Sequence, residues 1–91
     1  MWHLVWTRNF RTRCRKLLPR NRELGEALTT TLALLVEDPR QPRLKLHRLH
    51  GELEGLWVVR VTYSVRLVIG LNESQHEITL LALGSHDEVY R

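Results

Sequence analysis

Ninety-one residues, 43% hydrophobic and 26% charged, are expected to form one domain over residues 1–91, burying about two-thirds of the surface that the unfolded chain exposes. No apolar run approaches the roughly 18 to 20 residues that span a bilayer, and the opening MWHLVWTRNF lacks the apolar length and small-residue cleavage site of a signal peptide, so no membrane segment or leader is expected. The 14 Lys and Arg against 10 Asp and Glu leave a net charge of +4. Lysine occurs only at Lys16 and Lys45; arginine supplies the rest, and its planar fork matches phosphate better than a point ammonium does, which favours an anionic partner. With Cys14 as the lone cysteine, no internal disulfide can form and a reducing cytoplasm is expected.

In chain order, Trp2 to Trp6 reads as a short hydrophobic strand. TRNFRTRCRKLL follows, placing Phe10, Cys14, Leu17 and Leu18 on one helical face, with arginines on the other. Cys14 is expected in the core beside Phe10. Pro19 closes that helix, and Asn21 is an N-cap for a second, with Glu23 and Glu26 early, where the helix dipole favours anions. Leu24, Leu28, Leu32, Leu35 and Val36 then recur at helical spacing until Asp38-Pro39 stops them. From residue 44 the period changes to two. LKLHRL, LWVVRVTYSVRLVIGL and EITLLALG read as strands, with NESQH a turn before the last. The order β-α-α-β-β-β-β predicts an α+β fold, with an N-terminal strand and a helical hairpin packed on a small antiparallel sheet.

A turn centred on Tyr63 sets Val61 against Val65, Val59 against Leu67 and Trp57 against Ile69, all apolar and all on one side of the sheet. The other side then carries Val58 against Val68 and Arg60 against Arg66. Two arginines directly opposed repel, so something anionic is expected between them: an acidic side chain of the fold, or a ligand. The turn itself lacks Gly, Asn or Asp. On the same alternation Lys45 and His47 point toward the arginine face. His47, His50 and His86 do not read as a metal site, because residues three apart on a strand face opposite ways and no cysteine cluster supports them. A histidine beside arginines suits proton transfer near neutrality.

HRLHGELEGLWVVRVTYSVRLVIGL (47–71) and ITLLALGSHDEVYR (78–91) together resemble the second half of RelE/ParE-superfamily toxins of toxin-antitoxin modules. The likeness rests on G-x-x-x-G-x-W, on the arginine-bearing strands and on the terminal G-S-H-x-x-V-Y. It implies a RelE-like fold and, for the mRNA-interferase branch, cleavage of mRNA in the ribosomal A site without metal or other cofactor. Position by position, the resemblance makes His47 and His86 the general base and acid in either order, Arg66 the contact to the scissile phosphate, and Tyr90 the aromatic that stacks on or orients a base. Lys45, Arg48 and Arg60 would bind RNA. Arg66→Ala is accordingly expected to leave thermal stability nearly unchanged. The chain departs from lysine-based members in having only Lys45 there, and from some histidine-based members in having Ser64 where they carry Asp. Implied partners are a cognate antitoxin whose acidic or amphipathic segment folds over the basic face and helices, the ribosome with its mRNA, and operator DNA only through the antitoxin. Two alternatives remain: a gyrase-inhibiting toxin of the ParE branch, which generally lacks the terminal histidine and aromatic, and an inactive homologue acting with its antitoxin in a repressor complex.

Overall fold

The computed structural model describes residues 1–49 and 55–90, with Tyr90 by its backbone alone. His50 and Gly51, the latter opening the G-x-x-x-G-x-W motif, lie outside the described residues.

β1 spans His3–Trp6 and α1 Arg8–Leu17. Thr7 joins them. Its side-chain oxygen accepts from the Phe10 N–H at 3.1 Å and its hydroxyl donates to the Leu80 carbonyl at 2.7 Å, so one residue caps the helix and ties it to the sheet. α2, Arg22–Glu37, is capped as its sequence predicts: Asn21 Oδ1 accepts from the Leu24 N–H at 3.0 Å. It ends at Asp38, whose extended backbone is what a following proline imposes.

β2 is His47–Arg48, β3 Trp57–Arg60, β4 Val65–Asn72 and β5 Glu77–Ser85, followed by a short helix α3, His86–Tyr90. The sheet order is β1-β5-β4-β3-β2. The β3–β4 register is the one the hydrophobic pattern selects, with Trp57, Val58, Val59 and Arg60 opposite Ile69, Val68, Leu67 and Arg66. The helical hairpin covers the Val59–Leu67 face, where Phe10, Leu28, Leu35, Ile69, Ile78 and Leu80 form the main core. On the opposite face Leu49, Val58, Val68 and Val89 make a smaller cluster, to which α3 contributes Val89.

Three expectations need correction. The sheet is mixed, because β1 runs parallel to β5, with Leu4 opposite Ile78; apolar alternation is the same for either direction and does not encode it. Residues 42–44 form a single 3₁₀ turn beginning at Pro42, and Lys45 is left-handed at φ 52°, so the strand shrinks to His47–Arg48. The chain after Ser85 forms a short helix, an element that the order β-α-α-β-β-β-β does not contain.

Candidate active site

The β3–β4 turn, Val61 to Ser64, has no glycine and no left-handed residue, and its stability comes from side chains instead. The Val65 carbonyl accepts from the Val61 and Thr62 N–H groups at 3.0 and 3.2 Å, and Thr62 Oγ1 accepts from the Val65 N–H at 3.1 Å. Arg66 completes the turn. Its Nη1 donates to the carbonyls of Thr62, Tyr63 and Val65 at 2.7, 3.0 and 3.3 Å. The guanidinium is thus half-buried and structural as well as cationic, and the expectation that its removal leaves stability unchanged is corrected: charged hydrogen bonds of this kind are worth about 1.5–3 kcal/mol each when unscreened, less at a partly open site. Nε and Nη2 of the same fork carry three further N–H groups.

His86 is placed by a second local device. Ser85 and Glu88 form a reciprocal capping box, with the Ser85 N–H donating to Glu88 Oε1 at 2.8 Å and the Glu88 N–H donating to Ser85 Oγ at 3.2 Å. S-H-D-E is the sequence signature of that box and was legible as a helix start. The box makes His86 the first helical residue, and its own N–H donates to the Ser64 carbonyl at 3.1 Å, fastening α3 to the arginine turn. Close packing at Gly84 permits this fold-back: a Cβ there would lie 3.2 Å from Glu88 Oε1 and 3.3 Å from Glu88 Cβ. Glu88 also meets Arg13 Nη2 at 3.3 Å, while Arg13 Nε donates to the Leu83 carbonyl at 3.1 Å.

A bulge sets the phase of this segment. The pairing of β4 with β5 shifts between Val68 and Ile69, so Leu80 and Leu83 both enter the main core despite their odd spacing. Gly84 thereby falls opposite Arg66, which is opposite Arg60, in one row across the sheet.

The result is a depression of about 460 Å³ lined by Arg60, Tyr63, Ser64, Arg66, Ser85, His86 and Asp87. Arg60 sits over the Tyr63 ring at 5.6 Å. Among the described residues no carboxylate pairs with Arg60 or Arg66; carbonyls and a ring face occupy them. Asp87 also lines the depression, 3.7 Å from His86 Nδ1 and largely in solvent. Of the residues singled out in the sequence, three therefore converge: Arg60, Arg66 and His86. His47 pairs with Val58 on the same face, one strand beyond Arg60 and two residues along, which puts its Cα about 8 Å from that of Arg60. Its Nδ1 lies 2.8 Å from the Lys45 carbonyl, which can only accept, so in the neutral ring Nε2 carries the lone pair. Lys45 is exposed in the connection before β2. Arg48 is opposite Trp57 and stacks over its ring at 5.0 Å, on the other face of the sheet. The Tyr90 side chain lies outside the described residues. No group of three His, Cys, Asp or Glu that could hold a metal occurs among the described residues.

The capping box has a pH signature. Hydrogen bonds from Ser85 hold the Glu88 carboxyl below its ordinary value near 4.5, with Arg13 assisting. A carboxylate depressed on folding stabilises above its unfolded value and loses that contribution as pH falls through the folded one. α3 is therefore expected to loosen below about pH 4.5, seen as loss of amide-exchange protection at Ser85 and Glu88, and Glu88→Gln should flatten that dependence. Protection unchanged by acid in the wild type would count against the box.

No family model matches the chain, and no curated protein matches it. Solved structures do. The chain is similar to a YoeB/ParE toxin from Agrobacterium tumefaciens at 20% identity over 92% of this chain and 98% of that one, with a TM-score of 0.79. It is similar to a copper-bound mutant toxin from Helicobacter pylori at 28% identity, 98% and 99% coverage and a TM-score of 0.72. A chain of a YoeB-YefM complex from Staphylococcus aureus aligns at 14% identity, 94% and 98% coverage and a TM-score of 0.76. A meander of β2 to β5 closed by β1, under a two-helix cover, is the architecture behind these matches, and the chain has the fold of the RelE/ParE-superfamily toxins that its strand and C-terminal motifs resemble.

Proposed function

We propose that this protein is the toxin of a type II toxin-antitoxin module and acts as a ribosome-dependent mRNA endoribonuclease. The observation that supports the reading most is the convergence of Arg60, Arg66 and His86 on one depression, with no acid of the described residues neutralising the arginines. In the proposed reaction the 2′-oxygen attacks the adjacent phosphorus, a base takes the 2′-proton, and an acid returns a proton to the departing 5′-oxygen. The products are a 2′,3′-cyclic phosphate and a 5′-hydroxyl. Arg66 and Arg60 stabilise the phosphorane as negative charge grows on its oxygens, and His86 transfers the proton within the depression. His47, one strand beyond Arg60 on the same face, is the second proton-transfer group. Tyr90 offers a ring face to an unstacked base, a role that rests on its place in the G-S-H-x-x-V-Y motif. Lys45 lies on the RNA's path to the site, while Arg48 faces away from it. No metal is needed, since the side chains supply every part of the step.

A YoeB-YefM complex among the similar structures supports an antitoxin partner for this chain, with operator DNA reached only through that antitoxin. No helix of the described residues is long and apolar enough to cross a membrane, and we place the protein in the cytoplasm with its ribosomal target.

The test is induced expression in a toxin-sensitive host, with primer extension on a translated mRNA. Cleavage within codons is expected for the wild type, with a loss of about 10²- to 10⁴-fold in His86→Ala, the range for a general acid-base residue. Growth arrest with intact mRNA would redirect the assignment to gyrase and the protein-binding branch, and absence of arrest to an inactive repressor partner.

A further inference from the structure

α1 carries Arg8, Arg11, Arg13, Arg15 and Lys16 and no acid in its ten residues. Arg13 is engaged with Glu88 and the Leu83 carbonyl. Arg8, Arg11 and Arg15 are exposed and recur at i, i+3 and i+7, so they form a single stripe facing away from the Phe10 core. In the free protein this arrangement is unfavourable on two counts. Arg8 and Arg11 lie in the first turn, where the positive end of the helix dipole repels cations, and each is a helical neighbour of another cation. Among the described residues no acid pairs with any of the three. Beside the stripe, Trp6 keeps 42% of its surface exposed, with the Arg11 guanidinium 6.0 Å from its ring centroid. Trp6, Arg11, Cys14 and Arg15 line a shallow hollow of about 380 Å³, separate from the depression that holds His86.

We propose that this stripe seats the backbone of an RNA strand, outside the catalytic depression. Guanidinium forks bind phosphate and carboxylate oxygens alike, two at a time, and either anion would relieve the repulsion that the stripe carries when free. What favours nucleic acid over an acidic protein segment is the exposed indole of Trp6 beside the cations, a stacking platform for an unpaired base. The inference depends on the proposed function only for which RNA is met, since binding can be read without cleavage.

The experiment titrates the protein with a short fluorescent 2′-O-methyl oligouridine, which has no free 2′-OH to react, across a salt series, and repeats it with a poly-glutamate peptide. The combined Arg8→Gln, Arg11→Gln, Arg15→Gln variant is expected to bind the oligonucleotide at least about tenfold more weakly and to lose about two units of salt slope, given roughly 0.7 per phosphate contacted. Its melting temperature should not fall, because glutamine is a good helix former and repulsion is removed. Bound RNA should also quench the Trp6 fluorescence, isolated by difference from Trp6→Phe. Equal binding by the triple variant, or no binding by the wild type, overturns the proposal. Poly-glutamate binding as tightly as RNA, with the same loss in the variant, overturns it in favour of an acidic protein segment. A protein that binds the oligonucleotide through the stripe yet leaves translated mRNA intact would keep this inference and remove the nuclease.

Discussion

If the protein cleaves mRNA as proposed, Arg66→Ala is expected to reduce that cleavage by about 10²- to 10³-fold, the cost of removing one charge-stabilising donor from a reaction site, and also to lower stability by about 1–3 kcal/mol. The two losses have separate origins. The stability loss follows from three turn carbonyls, of Thr62, Tyr63 and Val65, that lose Nη1 as their donor in a turn with no glycine to relax it. The cleavage loss follows from withdrawing a cation from the floor of the depression that also holds Arg60 and His86. Arg66→Lys separates them. A lysine keeps the charge but gathers its three N–H donors on one nitrogen, so it cannot reach all three turn carbonyls and present a bidentate fork to a phosphate as well. The expected pattern is a melting temperature between those of wild type and alanine, with cleavage still far below wild type. If cleavage instead recovers in step with melting temperature across the series, Arg66 serves the turn alone.

Phe10→Ala is expected to be the most damaging single change to the fold. The ring is fully buried, stands edge-on to Trp6 at 5.1 Å, and joins the main core beside Leu28 and Leu80. Truncating a buried phenylalanine costs about 3–5 kcal/mol, against a total of roughly 5–14 kcal/mol for a chain of this size at 0.05–0.15 kcal/mol per residue. Phe10 is the one fully buried side chain of α1; the helix's other holds are the partly buried Cys14 and Leu17 on the main core, the Arg13–Glu88 pair, and the Thr7, Asn9 and Arg13 bonds to the carbonyls of Leu80, Leu81 and Leu83. Urea denaturation should show a midpoint lowered by about a fifth or more. A shift of under about 1 kcal/mol would mean that α1 is held by its polar bonds to β5 rather than by its apolar face.

Most of the architecture was legible because one-sided burial writes a period into the sequence. The Asn21 cap, the leucines of α2 and the β3–β4 register all follow from apolar spacing and turn chemistry, and the structure has them in place. The β5 bulge and the direction of β1 have no such trace. ITLLALG is apolar at nearly every position, so its run cannot reveal a bulge, and the parity that brings Gly84 opposite Arg66 depends on that bulge. The direction of β1 left no mark either. The alternation of LKLHRL puts Lys45 on a strand, yet the proline at 42 starts a 3₁₀ turn and the alternation ends there. The helix α3 does have a sequence mark, the Ser85–Glu88 spacing of a capping box.

The candidate site divides in the same way. Opposed Arg60 and Arg66 followed from register alone, and the resemblance supplied His86 as their companion. The turn-holding role of Arg66 was invisible, because a side chain donating to three carbonyls of its own turn has no sequence signature. The stacking of Arg48 on Trp57 follows from strand parity once β2 is in register, whereas the distance of His47 from the depression needed the shortened strand to be seen.

The most direct measurement puts the purified protein on ribosomes programmed with a defined mRNA, in the presence of EDTA, and identifies the ends of any fragments. The account predicts cuts at the A-site codon that leave a 2′,3′-cyclic phosphate and a 5′-hydroxyl, undiminished by chelation and lost in His86→Ala. Intact mRNA, or cleavage that stops on chelation and survives His86→Ala, would contradict it.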